Sequence, residues 1–263
     1  MFKLLKFIIV GIIFLHSFSL LAQKNYQFRS NFQYNGTLAN IWGYYDSLHQ
    51  KEYALVGVEY GLSIVDVTNP SNPHEIFFIE GDSSLWQEPK TWKQYVYMTN
   101  EHGRKGLMIV DMSNLPTSVN AVFWKDETIY KAGRSHTCFV DEKGFLYLNG
   151  SQVSGGTMIF DLKPDPMNPT YLGAYNEHYV HDCFVRNDTL WTAEISNGDI
   201  TILDVKDRSD PKIMARFQTP FLFTHNCWLT KDGKYLYTTD EKPFATVAAY
   251  DVSDLSNITL LDE

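Results

Sequence analysis

Residues 53–73 read YALVGVEYGLSIVDVTNPSNP: an alternating apolar run, a Glu59-Tyr60-Gly61 turn, a second apolar run closed by Asp66, and a proline-rich bend. The closing phrase returns four more times. LSIVDV (62–67) is followed by LMIVDM (107–112), TMIFDL (157–162), ITILDV (200–205) and VAAYDV (247–252). The five aspartates are spaced 45, 50, 43 and 47 residues apart. Short strands and turns recurring at that period form a blade array, because one unit cannot bury its apolar faces alone.

Each unit parses into four strands. In the fourth copy VHDCFVR, TLWTAEI, DITILDV and KIMARFQ are separated by Asn187-Asp188, Asn197-Gly198 and Asp210-Pro211. In the fifth, THNCWLTK, KYLYTTDE, TVAAYDVS and ITLLDE follow the same order around Asp232-Gly233. Two-residue Asn/Asp/Gly loops between β-branched and aromatic runs mark hairpins. Proline after the third run cannot extend its ladder, so the chain reverses into an outer edge strand. The expected fold is an all-β β-propeller of four-stranded blades, with five repeats at about 39–84, 85–132, 133–176, 177–220 and 221–263. Residues 23–38 are expected to offer an outer strand for a closing blade. The last run ends at Glu263 straight after its fourth strand, which favours part of a six- or seven-bladed ring over a closed ring of five.

Ahead of the repeats, Lys3 and Lys6 precede the apolar run Phe7–Leu15 and a small-residue exit ending at Ala22. That order reads as a secretory signal peptide over residues 1–22, with 23–263 as the mature propeller and no spanning segment after cleavage. The expected location is extracytoplasmic, secreted or at the cell surface. The chain has 22 Lys and Arg against 31 Asp and Glu, a formal charge of −9. That sign repels phosphate backbones and argues against nucleic acid. The partners expected instead are an extracellular protein, peptide or glycan. Three cysteines cannot all pair with one another. Cys138, Cys183 and Cys227 occupy equivalent repeat positions and read as small buried hydrophobes between blades.

The third-strand runs resemble the LVIVD repeat of bacterial surface propellers. Longer stretches resemble the choice-of-anchor B family: NIWGYYD (40–46), residues 53–73, YVHD (179–182) and THNCWLTKDGKYLYTTDE (224–241). The likeness covers nearly all of the mature chain. It implies an exported propeller, often attached through a C-terminal sorting signal, and it implies no catalytic residues. This sequence departs from that pattern in showing no sorting segment.

The sharpest candidate site is a histidine at the same point of three units: RSHTC (His136), YVHDC (His181) and FTHNC (His225). Counting outward from each hairpin loop sets His181 opposite Glu194, His225 opposite Asp240 and His136 opposite Ser151. Trp42 and Trp86 hold the corresponding place in the first two units, followed by Glu59 and Glu101. A channel mouth ringed by Trp42, Glu59, Trp86, Glu101, His136, His181, Glu194, His225 and Asp240 follows. Three readings stay open. The His–acid pairs lock the blade corners; or His136, His181 and His225 ligate a divalent metal ion with Glu194 or Asp240 behind them; or the ring binds an organic ligand or a partner's loop. No nucleophile elbow and no phosphate loop is present. A binding module is therefore the leading expectation, and a metal-dependent enzyme with a histidine-ringed channel the alternative. The recurring aspartates are expected to cap backbone donors in the bends after the third strands.

Overall fold

The computed structural model describes residues 27–151 and 155–263, so the predicted leader lies outside the described residues. Twenty strands form five antiparallel four-stranded sheets, each in simple sequence order. Sheet 1 holds β1 (Leu38–Asp46), β2 (Lys51–Val58), β3 (Gly61–Asp66) and β4 (His74–Glu80). Sheet 2 holds β5 (Pro89–Trp92), β6 (Tyr95–Met98), β7 (Leu107–Asp111) and β8 (Asn120–Trp124). Sheet 3 holds β9 (Thr137–Val140), β10 (Phe145–Asn149), β11 (Thr157–Asp161) and β12 (Thr170–Tyr175). Sheet 4 holds β13 (Asp182–Arg186), β14 (Thr189–Glu194), β15 (Asp199–Asp204) and β16 (Lys212–Gln218). Sheet 5 holds β17 (Thr224–Leu229), β18 (Tyr235–Asp240), β19 (Val247–Asp251) and β20 (Thr259–Asp262). Among the described residues there is no helix, and hence none long and apolar enough to cross a membrane. The all-β propeller architecture expected from the repeats is the observed one.

The cores lie between sheets. Tyr53, Leu55, Leu62 and Ile64 of sheet 1 meet Val96, Met98, Met108 and Val110 of sheet 2. Tyr97, Leu107 and Ile109 of sheet 2 meet Leu146, Leu148 and Met158 of sheet 3. A third cluster joins sheets 3, 4 and 5. This stacking explains why the third strands are unbroken apolar runs: β7, β11 and β15 have sheets on both faces, and β3 has sheet 2 on one side and the segment around Tyr34 on the other, so alternation has no solvent side to serve. The outer strands β4, β16 and β20 are exposed at most of their own positions. No described core joins sheet 5 to sheet 1. Leu38 and Ile41 of sheet 1, with Tyr237 and Val247 of sheet 5, stay exposed.

The turn chemistry follows the sequence. Asn187 and Asp188 both adopt positive φ, 53° and 60°, the mirror-image hairpin turn that matches strand twist. Each repeated aspartate accepts the backbone N–H two residues on: Asp66 from Thr68, Asp111 from Ser113, Asp161 from Lys163, Asp204 from Lys206 and Asp251 from Ser253, all at 2.8–2.9 Å. These carboxylates set the bend into the outer strand. Residues 27–37 form no strand, contrary to expectation. Ser30 Oγ donates to the Pro70 carbonyl at 2.6 Å and Tyr34 bonds Ser63 at 3.0 Å, so the segment lies against sheet 1.

Sheets 3 and 4 are also joined by a buried cation. Arg208 lies over the Phe145 ring at 4.1 Å and donates through Nη2 to Asp188 Oδ1 at 2.6 Å and to Asp141 Oδ2 at 3.4 Å. Gly173 of β12 leaves room for this approach, since a Cβ there would meet the Arg208 carbonyl at 2.3 Å. Removing one partner of such a buried pair strands the other charge. Arg208→Ala is expected to lower stability by about 3–5 kcal/mol, read as a shift of the urea unfolding midpoint.

Candidate functional site: the axial pocket

The first strands of all five sheets, or the residues just ahead of them, converge on one pocket of about 270 Å³. Each sheet gives the pocket lining two consecutive residues: the first of each pair, called the upper layer, are Ala39, Gln87, His136, His181 and His225, and the second, the lower layer, are Asn40, Glu88, Thr137, Asp182 and Asn226. Leu85 and Trp86 complete the wall. A larger apolar hollow, about 640 Å³, lies beside sheet 1, but neither a carboxylate nor an imidazole lines it. The chemistry belongs to the smaller axial pocket.

The upper layer brings the three histidines into one stack. Ring centroids of His136 and His181 are 4.2 Å apart, and those of His181 and His225 4.3 Å. His136 Nε2 and His181 Nε2 approach to 2.7 Å. His181 Nδ1 donates to the His225 carbonyl at 3.0 Å, and His136 Nδ1 faces Glu101 Oε2 at 3.1 Å. Burial, reinforced by His136 and His225, pushes the His181 pKa down to about 3. Burial also lowers that of His225, with Glu241 opposing. The hydrogen bond from His136 holds the Glu101 carboxyl below the usual range. The ligand atoms of His181, His225 and Glu241 all lie within 4.8 Å of one another.

The carboxylate partners inferred from hairpin counting are not the ones observed. The sheet 4 register is as expected, Asp182 pairing with Ala193. Glu194, however, is fully buried and accepts from Tyr175 Oη at 2.8 Å and Thr192 Oγ1 at 3.1 Å, with His178 Nδ1 at 3.1 Å. On β17 a bulge at His225 sets Thr224, not His225, opposite Asp240. Asp240 instead accepts from Thr219 Oγ1 at 2.6 Å and the Phe223 N–H at 2.8 Å. In sheet 3, Asp141 accepts the N–H groups of Lys143 and Phe145, lengthening the loop. Thr137 therefore pairs with Asn149, a register one residue away from the expected one. The acids beside the histidines are Glu101 and Glu241, from loops after second strands that hairpin counting could not place.

Trp86 lines the pocket, its ring centroid 6.5 Å from that of His136. Trp42 does not. A register shift early in β1 puts Ala39 and Asn40 there, while the Trp42 indole donates to Thr91 Oγ1 at 3.1 Å under the Lys90 ammonium. Glu59 also lies off the lining, 3.4 Å from Ser83 Oγ. The three cysteines are free and buried, and burial raises each thiol pKa, so they are poor nucleophiles.

Sequence reasoning missed the lower layer. Glu88 and Asp182 are 5% and 6% exposed, so both carboxyl groups are almost wholly removed from solvent. Lys90 pairs with Glu88 through Oε1, whereas Glu88 Oε2 is buried with no hydrogen-bond partner. Burial, then repulsion from Glu88, raises the Asp182 pKa well above the usual range, although the Cys183 N–H and the Asn226 amide donate to it. The signal was available: the residue after each repeated histidine is Thr137, Asp182 or Asn226, and Glu88 holds the matching place in the second unit.

His181 is charged more easily in the unfolded chain than in the folded one. Its contribution to stability is therefore complete above about pH 6.5 and shrinks as pH falls toward 3. With chelator present, the native chain is expected to lose about 2–3 kcal/mol more than His181→Gln between pH 8 and about pH 4.5. Urea titrations at the two pH values read the difference.

The comparisons bear on the fold. No curated protein matches the sequence. Among solved structures, a functionally unknown protein from Desulfotomaculum acetoxidans aligns at 12% identity and TM-score 0.63, over 88% of this chain and 70% of that one. The β-propeller domain of Myceliophteria thermophila Cps50 (Swd1) aligns at 13% and 0.60, over 89% and 73%. The periplasmic gluconolactonase PpgL of Pseudomonas aeruginosa aligns at 7% and 0.59, over 89% and 72%. Residues 50–80 and 94–124 match the LVIVD repeat, so this chain is a five-sheet β-propeller carrying LVIVD repeats in its first two sheets.

Proposed function

We propose that the chain is a binding module of the cell exterior whose axial pocket takes a cationic group. One observation carries this reading: Glu88 and Asp182 are both buried, the buried ammonium of Lys90 pairs with Glu88, and the second Glu88 oxygen has no partner. A buried acid without a matching donor is costly, and a bound cation would remove that cost. The overall charge of −9 draws cations toward the mouth. A protein or peptide can present such a group; an uncharged glycan cannot. Attachment to the cell surface, as in the choice-of-anchor B family, belongs to the same proposal. So does the leader.

The likeness to a gluconolactonase is one of fold and brings no residue roles. A metal-dependent reaction is the competing reading, favoured by the imidazole stack.

The test is a panel of small amines, basic peptides and divalent cations, read as thermal stabilisation of the full chain. A ligand at a hundredfold its Kd adds about 2.7 kcal/mol, a rise of a few degrees in Tm. Stabilisation by at least one cationic probe, reduced in Glu88→Gln, is expected. Uniform failure of the panel, or equal stabilisation of Glu88→Gln by every amine and peptide that binds, would overturn the proposal.

A further inference from the structure

The upper layer of the pocket contains a proton count that does not close by itself. His181 Nδ1 faces a carbonyl oxygen, which only accepts, so Nδ1 carries the proton and Nε2 keeps its lone pair. His136 Nδ1 faces the Glu101 carboxylate, which also only accepts, so this nitrogen too carries the proton. Neutral His136 then has its lone pair on Nε2. The two Nε2 atoms point at each other across 2.7 Å. Two lone pairs at that distance repel unless a cation lies between or beside them. Either an extra proton or a metal ion meets that need.

The surroundings favour the metal. A proton needs two donor atoms, but His181 also has two further groups beside it: one of its ligand atoms and those of His225 and Glu241 all lie within 4.8 Å of one another. Fixing the far nitrogen of each imidazole by an outer acceptor is how metal-binding histidines are aimed. Tetrahedral zinc, with bonds of about 2.0–2.1 Å, keeps neighbouring ligand atoms about 3.3 Å apart. The His136 and His181 rings reach that spacing by separating about 0.6 Å between them. Imidazole and carboxylate donors suit the borderline divalent ions.

We infer that the axial pocket binds a divalent transition-metal ion through His181, the His225 imidazole and the Glu241 carboxylate, with His136, whose Nε2 lies 2.7 Å from His181 Nε2, drawn in as the fourth ligand. Glu101 and the His225 carbonyl are positioning groups that aim the first two rings. The inference rests on the reading of the pocket as a cation site and names the cation. The ion ties together loops and strands of sheets 3 to 5, so it also reinforces the inner corners of the propeller.

The experiment uses the full chain, purified without a histidine tag and stripped with chelator, and titrates zinc by calorimetry. One zinc per chain is expected. Glu101→Gln is expected to weaken binding about 10–100-fold while every ligand stays in place. Glu241→Ala, a change at an exposed position, weakens it by at least about tenfold, and His74→Ala leaves it unchanged. Cobalt(II) in place of zinc should give the intense visible bands of four-coordinate geometry. Thermal melts confirm that each variant is folded. A folded native chain that takes up no zinc overturns the inference, as does zinc affinity unaltered in both Glu101→Gln and Glu241→Ala. If zinc fails while an amine still binds in a Glu88-dependent way, the metal falls and the cation pocket stands. If zinc and the whole panel fail, both fall.

Discussion

Face-to-face stacking of small four-stranded sheets is the constraint on which the rest depends. A sheet of this size with two apolar faces has no stable existence alone in water. Tyr53, Leu55, Leu62 and Ile64 are buried because Val96, Met98 and Met108 cover them, and the same exchange is repeated from sheet to sheet. Stacking of the sheets in sequence brings the start of every first strand to one shared pocket. The pocket is thus a by-product of packing, and its lining is whatever the repeats place at the start of each first strand.

That origin accounts for the distribution of polarity. The inner corners are joined by hydrogen bonds that cross between sheets: Gln87 Nε2 to the Val58 and Glu59 carbonyls, Thr99 Oγ1 to the His136 carbonyl, Thr137 Oγ1 to the His181 carbonyl and His181 Nδ1 to the His225 carbonyl. Buried polar atoms need such partners. Where partners are complete the groups are structural, as with Asp240 and its donors at Thr219 and Phe223. Where they are incomplete, at Glu88 Oε2 and at the opposed Nε2 atoms, the pocket asks for something from outside. His181 illustrates both roles, since one nitrogen braces sheet 5 and the other faces the axis.

Much was legible in the chain itself. The five aspartate-closed runs announced the sheets, and Asn187-Asp188 announced its hairpin turn, because these depend on local backbone geometry and on the period of burial. The three histidines were found for the same reason: a repeat keeps equivalent positions at equivalent radii. Of their carboxylate neighbours, Glu101 was expected on the ring but not assigned to His136, and Glu241 was not found. A single-residue bulge at His225 and a longer loop at Asp141 each moved the register by one, and in a strand one residue exchanges the two faces.

The sequence by itself determined the element order, the all-β class and the fact that three imidazoles share one height in the repeat. Tertiary structure alone decided which acids meet them, because Glu101 and Glu241 come from a neighbouring sheet's loop and from beyond a bulge. It alone revealed Glu88, Asp182 and Lys90 as one buried group, since their coupling runs around an axis between residues some ninety positions apart. Covalent neighbours constrain dihedral angles and hydrophobic period. Charge balance inside a cavity is a property of the walls taken together, and only the packing of the sheets against one another sets those walls.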